Sequence, residues 1–225
     1  MKSLHNELQN LITGNEQEGN GGKLRKTQSF LRRNAQAVRE TQPSQQIHRK
    51  EEETQLKQFA DRENLYFPEI IQEKNFISEG AEQRVYRYDE GHVIKVNSGV
   101  YYTSWLDYFN NLLLHNYFFP STAYQFMGFL QQDDSLYSVV KQGFIVATEL
   151  LDLKAVQTLL EYNNFRLLRN HDYINEKLGI ILEDLHDENI ISRNNIPYFI
   201  DTVFYLMPPL GTTVPKLGNS SNTQS

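Results

Sequence analysis

Asp184, Asn189 and Asp201 are residues of this 225-residue chain whose types and spacing could carry chemistry. Asp184 and Asn189 stand five apart in Leu182-Glu183-Asp184-Leu185-His186-Asp187-Glu188-Asn189-Ile190-Ile191. Asp201 follows twelve residues later, in Phe199-Ile200-Asp201-Thr202. An amide oxygen and a carboxylate are hard ligands, suited to a magnesium ion shared with phosphate oxygens. That assigns Asn189 and Asp201 to the metal. Asp184 then stands where a carboxylate would take the proton of an attacking hydroxyl, an effect of about 10²–10⁴-fold. Upstream, Lys95 lies in Val93-Ile94-Lys95-Val96, where a lysine costs desolvation unless an anion meets it. In Glu79-Gly80-Ala81-Glu82-Gln83-Arg84-Val85-Tyr86, Gly80 and Ala81 would let backbone N–H groups approach phosphates. Each pattern also has a plainer reading. The glycine stretch fits an ordinary hairpin, Lys95 a solvent-facing edge strand, and residues 184–189 a polar turn.

These residues need elements to hold them. Phe76-Ile77-Ser78, Val85 to Tyr88 and His92 to Val96 read as strands, with Asp89-Glu90-Gly91 as a tight turn. Residues 102–117 read as a helix, with Trp105, Tyr108, Phe109, Leu112 and Leu113 at helical spacing and Pro120 ending it. Tyr124 to Gln131 and Leu136 to Lys141 are two more strands, joined by Asp133-Asp134-Ser135. Residues 149–162 form a further helix. Asn189 to Ser192 and Tyr198 to Thr202 form a hairpin, turned by Arg193-Asn194-Asn195, that brings Asn189 beside Asp201. Asp107, the one acid between Gly91 and Gln132, is the candidate partner of Lys95. It also fits a helix-start acid favoured by the helix dipole. His115-Asn116 reads as a cap at the end of that helix.

Composition sets the wider limits. The chain lacks cysteine, which removes disulfides, thiolate zinc sites and cysteine nucleophiles and points to a reducing, cytoplasmic setting. No apolar run reaches transmembrane length, and Met1-Lys2-Ser3-Leu4-His5 does not open a signal peptide. Residues 1–60 carry ten Lys/Arg against seven Asp/Glu, whereas residues 61–225 carry twelve against twenty-one. The acidic part is ill suited to grip nucleic acid by general electrostatics. The run 21–39 has six cations and no acid. It reads as a solvated helix or as a docking arm for an acidic partner or nucleic acid, and it lacks the aromatic interleaving that base stacking uses. Helices are expected near 23–40, with Leu24, Leu31, Ala35 and Val38 towards one face, and near 49–60. A joint at 19–22 and a break at Gln42-Pro43-Ser44 separate them.

Five strands with a helix after the third, followed by the Asp…Asn…Asp series, resemble the serine/threonine/tyrosine kinase-like domain of polyvalent proteins from bacterial conjugative elements and phages. The matching stretches are Leu114-His115-Asn116 to Phe119-Pro120 and Tyr124, Gly128-Phe129, Val140-Lys141-Gln142, residues 184–189 and Tyr198-Phe199-Ile200-Asp201-Thr202. They span roughly residues 75–206. The resemblance implies ATP and Mg²⁺ bound between two lobes and transfer of the γ-phosphate to a protein hydroxyl or a small molecule. Ile94, Val139, Val140 and Ile200 are then candidates to sandwich adenine, and they read equally as ordinary core. Glu183 stands where an Arg is usual, Asp201-Thr202-Val203 replaces Asp-Phe-Gly, and Asp184-Leu185-His186 is closer to small-molecule phosphotransferases than to protein kinases. The 24 residues after Asp201 leave no room for a long activation segment.

The expected fold is α+β and protein-kinase-like: a five-stranded antiparallel N-lobe with one helix, and a reduced C-lobe. The expected layout is a polar helical or partly disordered appendage over 1–63, the N-lobe over 64–141, the C-lobe over 142–207 and a flexible tail over 208–225. A catalytically weak nucleotide-binding or interaction module is the alternative, and residues 1–60 are the candidate partner-docking segment.

Overall fold

The computed structural model describes residues 8, 10–12, 22–39, 45–81 and 83–207. The joint at 19–21, the break at 42–44 and the tail at 208–225 lie outside them. In chain order the elements are α1 (Lys23–Arg39), α2 (Gln45–Glu63), β1 (Phe76–Glu79), β2 (Gln83–Arg87), β3 (His92–Asn97), α3 (Trp105–Phe118), β4 (Gln125–Gln132), β5 (Ser135–Gly143), α4 (Leu153–Tyr162), β6 (Arg166–Arg169), β7 (Asp172–Asn175), β8 (Ile180–Glu183), β9 (Ile190–Arg193), β10 (Ile196–Phe199) and β11 (Val203–Leu206). The fold is α+β. An antiparallel five-stranded sheet runs in the order β1-β2-β3-β5-β4. A four-stranded sheet runs β11-β8-β7-β6, and β9 pairs with β10 alone.

α3 ties the two halves together. Ser104 caps it by accepting the Asp107 amide at 3.0 Å. Its Trp105, Phe109 and Leu112 enter a core with Phe126, Phe129 and Val140 of the five-stranded sheet. Two residues on, and so towards another side of the helix, Leu114 joins a second core with Leu160, Leu182, Ile190, Phe199 and Phe204. Asn111 fixes the far sheet directly, because its Oδ1 accepts the Phe204 amide at 2.8 Å. The opposite face of the five-stranded sheet buries Tyr86, Ile94, Val96 and Val139.

The stretch expected to be a weakly anchored appendage is built into the first core, which includes Leu31, Leu56, Phe59 and Ala60. Its polar residues are as engaged as its apolar ones. Arg49 donates to the Tyr102 and Ser98 carbonyls at 2.6 and 3.2 Å. Glu52 accepts the Trp105 and Leu106 amides at 2.7 and 3.2 Å, serving the orphan donors at the start of α3. Glu53 accepts the Leu136 amide. In the cationic run, Lys23 donates to the Met127 carbonyl, Arg25 to Leu11, and Lys26 pairs with Glu63. These three cations anchor the chain to itself.

The link after α2 closes the edge of β4. Phe67 N donates to Phe129 O at 2.8 Å, and Phe129 N donates to Leu65 O at 2.7 Å. Gly128 sits in this seam with φ +152°, and a Cβ there would lie 2.5 Å from the Leu65 carbonyl oxygen. Glycine is required both by φ and by the approach of the second backbone.

Beyond α4, whose N-cap is Asp152, the sequence reading has no strands at 166–183 or 203–206. The structure forms β6, β7, β8 and β11 there. It also ends the last hairpin strand at Phe199 rather than Thr202, so Asp201 leaves the ladder. Asn194 and Asn195, both with positive φ, make a two-residue turn between β9 and β10.

Gly128→Ala should lower unfolding stability by about 1–3 kcal/mol through overpacking. Gly143→Ala, where a Cβ meets nothing within 4 Å, should change it little. Urea midpoints compare the two. Burial pushes the Glu52 carboxyl up to about 7, against the two amide bonds that lower it. The folded state therefore holds that proton more tightly than the unfolded chain. Its contribution to stability is full below about 4.5 and falls as pH rises through 7. Glu52→Gln should flatten the stability–pH slope between pH 4.5 and 7, and an unchanged slope would contradict this.

Candidate active site

A cleft of about 450 Å³ separates the five-stranded sheet from the β9–β10 hairpin. Gly80, Gln83, Lys95, Gln142, Asn189 and Asp201 are among its walls. Strand alternation explains which residues of β3 face it: Val93 and Lys95 line the cleft, while Ile94 and Val96 enter the opposite core.

Lys95 is 4% exposed. Its Nζ donates to the Ile200 carbonyl at 2.8 Å and lies 3.7 Å from Asp201 Oδ2. Burial lowers its pKa, and the Asp201 carboxylate opposes that shift. Tyr124 closes the same corner. Its hydroxyl donates to Ile200 O at 2.8 Å and stands 3.5 Å from Asp201 Oδ1, and its ring lies 5.4 Å from the ammonium. Burial, with Asp201 second, holds the Tyr124 hydroxyl well above its ordinary pKa, so it remains a donor.

Asn189 stands beside Asp201 because its carbonyl accepts the amides of both Ile200 and Asp201, at 2.9 and 3.3 Å. Its Nδ2 donates to Asp184 Oδ2 at 2.8 Å and to the Asp184 carbonyl at 2.9 Å. Since the NH₂ group faces that carboxylate, Oδ1 is the atom left for a cation. His186 Nε2 lies 3.1 Å from the other Asp184 oxygen. Asp184 itself has φ 67°, a left-handed conformation of the kind found where structure around a site overdetermines the backbone. Its side chain is exposed and outside the cleft wall, joined to it through Asn189.

Beneath Asp201 lies a buried polar junction. The Thr122 carbonyl can only accept, so His115 Nε2, 3.0 Å away, carries the proton. His115 Nδ1 then accepts from Thr202 Oγ1 at 2.7 Å. Thr122 Oγ1 donates to the Phe199 carbonyl at 2.6 Å. Asn116 pairs both ways with the Tyr124 backbone, at 2.8 and 2.6 Å. The His115-Asn116 pair positions backbone, as a cap would, and it holds the Asp201 segment as well.

Three expected residues lie elsewhere. Asp107 does not meet Lys95: it accepts from Ser104 Oγ at 2.9 Å in the first turn of α3, and Asp201 is the carboxylate beside Lys95. Val140 faces Lys95 across the ladder but packs into the first core, so it does not line the cleft. Ala81 is likewise outside the lining, while Gly80 is in it, its amide bonded to Gln83 O at 2.9 Å. Of the four apolar adenine candidates only Ile200 reaches the cleft, because Ile94 and Val139 enter the opposite core with Val96. Ile77, Val85, Val93, Phe144, Ile145 and Ile191 supply the other apolar lining.

Gln83 has no counterpart in the sequence reading. Its Nε2 donates to Asp201 Oδ2, linking the start of β2 to the opposite wall. Nothing in a glutamine at the start of a strand signals such a contact. The segment after β5 is fastened too. Thr148 N donates to Ser192 O at 3.1 Å, and Glu149 Oε1 accepts from Ser192 Oγ and Asn195 N at 2.6 and 2.7 Å.

The chain belongs to the family of serine/threonine/tyrosine kinases found in polyvalent proteins, whose model matches residues 49–208. No curated protein and no solved structure matches it. The match begins at Arg49, within α2, and so extends the stretch of resemblance by more than twenty residues. Among the described residues no helix is long and apolar enough to cross a membrane.

Burial lowers the His115 pKa to about 3, so the folded state keeps it neutral. The unfolded chain binds that proton more readily between pH 6.5 and 3. The neutral side chain's contribution is complete above 6.5 and is lost as pH falls through that window. At pH 7, His115→Leu should cost about 2–4 kcal/mol by leaving buried partners unpaired. That deficit should shrink towards pH 4 in parallel urea titrations. A deficit independent of pH would show that His115 does not titrate as described.

Proposed function

We propose that the protein is an ATP-dependent phosphotransferase, working in the setting of a bacterial or phage mobile element and in the cytoplasm. Residues 64–141 and 142–207 would form the two lobes of its kinase-like domain. The observation that carries this reading is the convergence of Lys95, Asn189 and Asp201 in one cleft, with Asp184 bonded to Asn189.

The donors fit a magnesium–triphosphate. Asn189 Oδ1 and the Asp201 carboxylate are oxygen ligands side by side. Such an ion takes only one or two protein carboxylates, with phosphates and water completing its shell. When bound, Mg²⁺ would neutralise charge on the β- and γ-phosphates. Lys95 would meet the same phosphates, which would relieve the cost of its burial. Gly80 gives the β1–β2 loop room to cover them. Asp184, oriented by His186 and Asn189, would accept the proton of the acceptor hydroxyl. The acceptor oxygen would then bond to the γ-phosphorus while the bond to the departing ADP oxygen breaks. The exposure of Asp184 suits a protein hydroxyl or a small molecule alike.

One contact favours a second reading, a nucleotide-binding module with weak catalysis: Gln83 already occupies an Asp201 oxygen needed by the metal. Labelled Mg-ATP separates the two. With transfer mapped by mass spectrometry, Asp184→Asn should lose about 10²-fold or more in rate while ATP binding persists. Asp201→Asn should weaken the magnesium requirement and the binding together. Equal transfer by Asp184→Asn would remove it as the base. A thermal shift with Mg-ATP and no transfer to any acceptor would favour the module.

A further inference from the structure

Gln83 opens β2 and stands opposite Asn97 of β3 in the ladder. Its own carbonyl accepts the Gly80 amide at 2.9 Å, which closes the tip of the β1–β2 hairpin. The sheet on one side and this turn on the other fix where its side chain begins. That side chain lines the cleft, and its Nε2 donates to Asp201 Oδ2 on the far wall. The same oxygen faces Lys95 Nζ at 3.7 Å. Mg²⁺ takes near-octahedral oxygen ligands at about 2.0–2.1 Å and keeps several waters. An amide N–H and such a hydrated cation are both electropositive, so at one carboxylate oxygen they compete for the same space. A hydrogen bond to a carboxylate is also stronger than one between neutral groups, so displacing Gln83 carries a definite cost.

We propose that Gln83 is a latch that bars the cleft to a lone magnesium ion and yields to a magnesium–triphosphate. The proposal rests on the nucleotide reading above. When the ion comes alone, the Gln83 amide loses Asp201 and gains no anion in return. When a triphosphate comes with it, anionic oxygens arrive beside Lys95 and Gly80, and the freed NH₂ group donates to one of them. Gln83 thus gives up Asp201 only when phosphates supply it with another acceptor. The contact then couples metal binding to nucleotide binding, and it gates the site rather than blocking it.

Two variants of the full chain test this. Gln83→Met keeps the side-chain length and removes the donor, and Gln83→Asn keeps the amide but shortens its reach. In magnesium titrations followed by thermal shift, both should bind Mg²⁺ alone about tenfold or more tighter than the unaltered chain, the worth of one hydrogen bond to a charged group. In calorimetry with Mg²⁺ and the non-hydrolysable β,γ-imido analogue of ATP the gain should be smaller, because the phosphates give the unaltered amide a new partner. Mg²⁺ binding that is equal, or absent, in all three chains would overturn the latch and leave the cleft reading intact. An equal gain with and without the analogue would contradict the handover to phosphate. Failure of the analogue to bind any of the chains would overturn the nucleotide reading and this proposal with it. Amide hydrogen exchange of the empty protein reads the tie without any ligand: the Gly80 and Asp201 amides should exchange faster in both variants, and unchanged exchange would count against a bond across the cleft.

Discussion

The site depends on a buried hydrogen-bonded junction between the end of α3 and the segment around Asp201. His115 reaches Thr202, Thr122 reaches Phe199, and Lys95 and Tyr124 both reach the Ile200 carbonyl. Asp201 lies past the end of β10, with no strand partner to hold it. Side chains from the five-stranded half hold its neighbours instead. In an interior of low dielectric such a network is favourable only when nearly every member is satisfied, so a unique arrangement is selected. Phe119 stacks on Phe199 beside it, with centroids 4.2 Å apart.

Family membership and this geometry support each other at particular residues. The stretches that carry the resemblance include His115-Asn116 and Ile200-Asp201-Thr202, and the structure bonds the two directly. Gly128, from another such stretch, is where the Leu65–Phe67 backbone presses against β4. Three positions far apart in sequence thus have local physical reasons to be what they are.

Much of the five-stranded half was legible because apolar runs are bounded by tight turns at Asp89-Glu90-Gly91 and Asp133-Asp134-Ser135. Asp184, Asn189 and Asp201 were legible by spacing, and Lys95 by its cost inside an apolar strand. The depth of α2 was not. Arg49, Glu52 and Glu53 fall in the stretch expected to be a polar appendage, yet they bond backbone groups of other elements, and hydrophobic periodicity is blind to that use. Asp107 misled for a related reason: an acid early in a helix serves its own cap as readily as a distant lysine. Val140 had the right register for the cleft, but core side chains take that position. The strands between 166 and 183 are four residues each, too short for a period to declare itself.

The fastening of residues 148–149 to the β9–β10 hairpin bears on how a ligand would enter. A linker bonded to the lower half at Ser192, Asn194 and Asn195 cannot act as a loose strap about which the halves swing apart. Freedom to admit a triphosphate would then fall to the β1–β2 hairpin, whose Gln83 reaches across the cleft through a single amide. Entry would work at the front of the cleft, opposite the fastened linker.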